Sequence, residues 1–166
     1  MQAGQIILVR TNPATQFTGT LAQNAAATVS LATMLPAGTI IGDGYVDGGL
    51  GAGLTVRARL RGLTIVSMEN LAWEVWLWAK DTFNTFSVLG DLMPLGRWSF
   101  AAGDGVQIAG TGPYYYYVDG NDQPYIDALR KGEINLMLVN RSITGKSAGD
   151  PGAILLQLAF EPTYGR

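Results

Sequence analysis

NLAWEVWLWAK, residues 70–80, puts large apolar side chains on both sides of an extended chain. Successive side chains of a β-strand point to opposite faces. Leu71, Trp73, Val75, Leu77 and Ala79 therefore share one face, and Ala72, Glu74, Trp76, Trp78 and Lys80 share the other. The first set is a core face. The second joins two indoles to a carboxylate and an ammonium, a mixture that suits a surface covered by something else.

The same period of two recurs outward from this strand, and no segment sustains the three-to-four spacing of an amphipathic helix. QIILVR (5–10) is a short β-branched strand, followed by the polar stretch 11–30, which is open to either weak strands or an extended arm. GTIIGDGYV (38–46) reads as a strand broken at Gly-Asp-Gly, and LTVRARLRGLTIVSM (54–68) as one bent strand or two, with Gly62 as the bend. Further strands are predicted around Phe83–Leu89, at Trp98 and Phe100, over 105–109 (GVQIA), over 114–118 (YYYYV), over 133–140 (EINLMLVN) and over 153–161 (AILLQLAFE). The one helical turn predicted lies at 124–131, where Tyr125, Ala128 and Leu129 share a side. About nine short strands punctuated by Gly and Pro predict an all-β protein, a single antiparallel β-sandwich domain over residues 1–166.

Composition narrows the chemistry. The chain has no cysteine, so disulfides and thiolate metal sites are excluded, and no histidine, which removes the commonest general base and pH switch. Charged residues are 14% of the chain and the net charge is −2, against roughly 25% charged in an ordinary soluble domain. Nothing in this balance favours nucleic acid or an anionic membrane, and no apolar run reaches the roughly 20 residues that span a bilayer. Residues 1–25 lack the pattern of a signal peptide. A surface this weakly charged is expected to be shielded in an assembly.

Several constellations stand out. Arg57, Arg59 and Arg61 line one face of a strand, where they repel one another unless cross-strand acids or an acidic partner neutralise them. Trp76 and Trp78 are either a second packed layer, interface anchors or platforms for sugar rings. Tyr115 and Tyr117 face away from Tyr114 and Tyr116, so one pair packs and the other is free to meet a partner. The aspartates of VDGNDQ (118–123) fit turn chemistry better than a calcium site, for they lack EF-hand spacing. TGKSAG (144–149) lacks the spacing of a phosphate loop, and Glu74 has no identifiable carboxylate mate for glycoside hydrolysis. No enzyme activity, cofactor or metal is expected.

The runs ENLAWEVWLWAKD (69–81), PYIDALRKGEINLMLVNRS (124–142) and AILLQLAFEP (153–162) resemble the jelly-roll β-sandwiches of tailed-bacteriophage virion proteins, especially capsid decoration or cement proteins. The KGEINLMLVN pattern also occurs in galactose-binding-like sandwiches. The resemblance implies a virion protein on the capsid surface that binds the major capsid protein and copies of itself, as a dimer or trimer. Trp76, Trp78, Arg57, Arg59, Arg61, Tyr115 and Tyr117 are the expected partner-binding residues. The alternative is a carbohydrate-binding sandwich or a receptor-binding tail module, with a glycan as partner.

Overall fold

A computed structural model describes residues 6–14, 16–30, 39–41, 44–46, 58–78, 94–120, 135–149 and 152–162. Its strands are β1 (Ile7–Arg10), β2 (Ala26–Ser30), β3 (Thr39–Ile41), β4 (Gly44–Val46), β5 (Ala58–Ser67), β6 (Trp73–Trp78), β7 (Pro94–Phe100), β8 (Tyr114–Asp119), β9 (Asn135–Asn140) and β10 (Ile154–Pro162). One four-stranded sheet has the order β1-β10-β5-β8, a second the order β2-β9-β6-β7, and β3 and β4 form a hairpin of their own. All pairings are antiparallel. The pairing is nested: β1 with β10, β2 with β9, β5 with β8, and β6 with β7. A long hairpin folded over in this way, and closed by β10 on β5 and β9 on β6, is a jelly roll.

The core lies between the two sheets and obeys the alternation of the sequence. Trp73, Val75 and Leu77 of β6, Leu136 and Leu138 of β9, and Ile154, Leu156, Leu158 and Phe160 of β10 are all buried in one cluster. Leu60, Leu63 and Ile65 of β5 and Tyr116 of β8 stand beside the β10 residues in the same sheet and, with them, face those of β6 and β9. On β5 the spacing from Leu60 to Leu63 breaks the alternation, and the register with β10 slips there: Ala159 faces Gly62 while Phe160 faces Leu60. Arg61 is the extra residue, and a bulge turns it outward while both leucines stay inside. The bend expected at Gly62 is this bulge. Gly62 also makes room for the Tyr117 ring, which would stand 3.1 Å from a Cβ at that position. In β7 a Cβ on Gly96 would lie 2.3 Å from the Trp98 indole, so the absence of a side chain is what admits the ring.

The connections β1–β2, β5–β6, β7–β8 and β9–β10 each cross from one sheet to the other, and side chains tie three of them together. Leu21 and Lys146 exchange backbone hydrogen bonds, and Leu21 is buried. Asn140 Nδ2 donates to the carbonyls of Leu21 and Thr144, 2.9 Å each. Lys146, only 3% exposed, donates from Nζ to the carbonyls of Gly19 (2.8 Å) and Ser147 (3.0 Å). Glu69 accepts from the Ser147 amide and hydroxyl. Burial pulls the Lys146 ammonium below its usual range, with the Glu69 charge acting in the opposite direction. The stretch 11–30, open in sequence to weak strands or an arm, holds β2 and, before it, a segment around Leu21 fastened by these bonds.

One expected strand is absent. Over 105–109 only Val106 pairs, with Tyr115, and 108–109 form a turn, with Ile108 81% exposed. Three residues of alternation are too few to outweigh the glycines on either side. The helical turn at 124–131 and the strand near 83–89 lie outside the described residues. The assignment of faces predicts that Leu158→Ala, a cavity in the core, costs about 2–5 kcal/mol. Leu8→Ala, on the outer face of the same sheet, should cost under about 0.5 kcal/mol. Urea unfolding of the two variants checks this.

Candidate interaction surfaces

The outer face of the β2-β9-β6-β7 sheet is organised around a buried acid. Glu74 is 3% exposed although it points away from the core. Arg141, just after β9, donates to it through Nη2 (2.9 Å) and Nε (3.1 Å), and Arg97 of β7 through Nη2 (3.0 Å). The Trp76 indole N–H, two residues along the same strand, also donates to this carboxylate. Arg141 Nη1 reaches on to Asn24 Oδ1 at 2.9 Å. Asn24 takes a left-handed conformation (φ +60°), tolerated by asparagine, in the turn that leads into β2. Trp76 faces Arg97 across the β6–β7 pair and Met137 across the β6–β9 pair. Its ring packs with buried Met137 and Val139 and lies under the Arg97 guanidinium, 5.0 Å from the ring centroid.

The Arg141 hydrogen bonds, with those from Arg97 and Trp76 added, outweigh burial and draw the Glu74 pKa down to about 2. A carboxylate so held stays ionised and has its lone pairs filled, which leaves it unsuited to act as a general acid or base near neutrality. The cluster bears two positive charges and one negative.

The outer face of the β1-β10-β5-β8 sheet grades from charged to apolar. At one end Arg61 pairs with Glu161 of β10, and exposed Arg59 sits opposite Glu161 in the register. Next to them the exposed Tyr117 lies over Gly62, its hydroxyl donating to Asp119 Oδ1 at 3.0 Å. That bond pushes the phenol above its usual range. At the other end, half-buried Tyr115 faces Val66. There a groove of about 220 Å³ is lined by Pro13, Val66, Met68, Pro113, Ala153, Ile154 and Leu155, with no polar side chain.

The residues singled out from sequence are thus split between two surfaces. Trp76 is half-buried and engaged; Trp78 ends β6, paired with Asn135 and Pro94, and its side chain is outside the described part. Arg59, Arg61, Tyr115 and Tyr117 lie on the other sheet, and Arg57 is outside the described residues. The row of three repelling arginines resolves at Arg61 into a cross-strand ion pair. Asp119 serves Tyr117, Asp122 is outside the described residues, and among those described no cluster of acids could hold a metal ion. Sequence reasoning did not find Arg97 and Arg141, which come from 23 and 67 residues away to meet Glu74. Nor did it find the groove, assembled from four chain segments.

These features define a class, the all-β jelly rolls with two four-stranded sheets. No family model and no curated protein matches the sequence. Among solved structures the chain is similar to a chain of the Cowpea mosaic virus top component, described as naturally occurring empty particles. The identity is 5% and the TM-score 0.43, over 97% of this chain and 41% of that one. It is also similar to the Tobacco streak virus coat protein, at 7% identity and TM-score 0.39, over 100% of this chain and 92% of that one. This chain therefore spans well under half the length of the first and nearly all of the second.

The folded-state pKa of Glu74 lies below its ordinary 4.5, so its contribution to stability is complete above that value and is lost as pH falls through about 2. Discounted for the exposure of both guanidiniums, it is worth about 2 kcal/mol. Glu74→Gln should lower the unfolding free energy by at least that much at pH 7 and by much less near pH 2. Denaturant titrations of both proteins at the two pH values measure the difference.

Proposed function

We propose that the protein is a non-enzymatic structural subunit of a virion, with capsid decoration or cement as its task. Jelly rolls serve shells, lectins and enzymes alike, so the fold alone does not choose. What carries the choice is the apolar outer surface. The groove has a wholly apolar lining, and Leu8, Met68, Val106, Ile108 and Ile143 are exposed on a chain with few charges. Exposed apolar area of this kind marks an interaction site, and each Å² removed from water contributes about 25 cal/mol before association costs. Symmetric repetition multiplies such modest contacts.

Sugar binding, the main rival, loses its foremost platform. The Trp76 ring is already engaged by Arg97 and by Met137 and Val139, which takes up the face a sugar would stack on. Among the described residues Tyr117, at the charged end of the other sheet, is the exposed aromatic that remains to that reading.

The full chain in solution should form a discrete dimer or trimer by light scattering after size exclusion. The mass should hold as salt is raised, because screening weakens charge contacts and not apolar ones. Closed particles formed by the chain alone would shift the role from decoration to shell-building. A monomer at every concentration, with binding on a glycan array that Tyr117→Ala abolishes, would replace the reading with the sugar-binding one.

A further inference from the structure

We draw no further inference here: the strongest candidate, the apolar groove lined by Val66, Met68, Pro113 and Leu155 at one end of the β1-β10-β5-β8 sheet, is an unpartnered face, and nothing in the structure shows what covers it.

Discussion

A strand in the middle of a sheet has to find cover for both of its faces, and β6 is where this molecule meets that requirement most severely. It is flanked by β7 and β9, so its backbone is fully paired, and it carries three of the four tryptophans of the chain. Inward, Trp73, Val75 and Leu77 meet the opposing sheet. Trp73 Nε1 is left buried beside the Tyr116 hydroxyl without a partner in hydrogen-bond geometry. Outward, among the described residues, no second sheet lies over it, and cover comes from polar chemistry. Glu74 is sheathed by two arginines, and Trp76 is roofed by one of them. The outer arrangement makes sense only because alternation leaves it no other place.

Charge and apolar surface are therefore disposed differently on the two sheets. One outer face spends its arginines internally, locking β6, β7 and the segment after β9 to one another. The other keeps its ion pair at one end and, at the opposite end, lines a groove with apolar side chains alone. A protein that had to be soluble and alone would be expected to distribute its few charges over exposed apolar regions. Here two guanidiniums converge on a single acid, while Ile108 and Ile143 protrude into water. That economy is consistent with neighbours.

Much of the architecture was readable from period-two patterns, and the reasons are local. β6, β9 and β10 are long runs with one uniformly apolar face, and a shift of one residue would turn that face to water. The bulge was foreshadowed by a glycine in the interior of a strand. What could not be read is whatever depends on chain segments meeting at long range. The nested order of strands, Arg141 arriving on Glu74, and a groove made from Pro13, Val66, Pro113 and Leu155 have no signature in any one window of sequence. The reading of 105–109 failed for the opposite reason: a brief alternation is indistinguishable from a strand until its neighbours are known. Arg57, Arg59 and Arg61 had a reading as a binding stripe, yet the acid that answers Arg61 comes from the last strand, 100 residues away.

The buried ammonium of Lys146 gives the connecting end of the sandwich a mechanical character. Its two carbonyl acceptors belong to separate connections, and the amide beside it is fastened through Ser147 to Glu69 on a third. Releasing any one of them would strand a cation in a poorly solvated place, so partial fraying gains little chain entropy for a heavy electrostatic penalty. The three connections should consequently let go together or hold together, behaving as one hasp whose pin is a single amine.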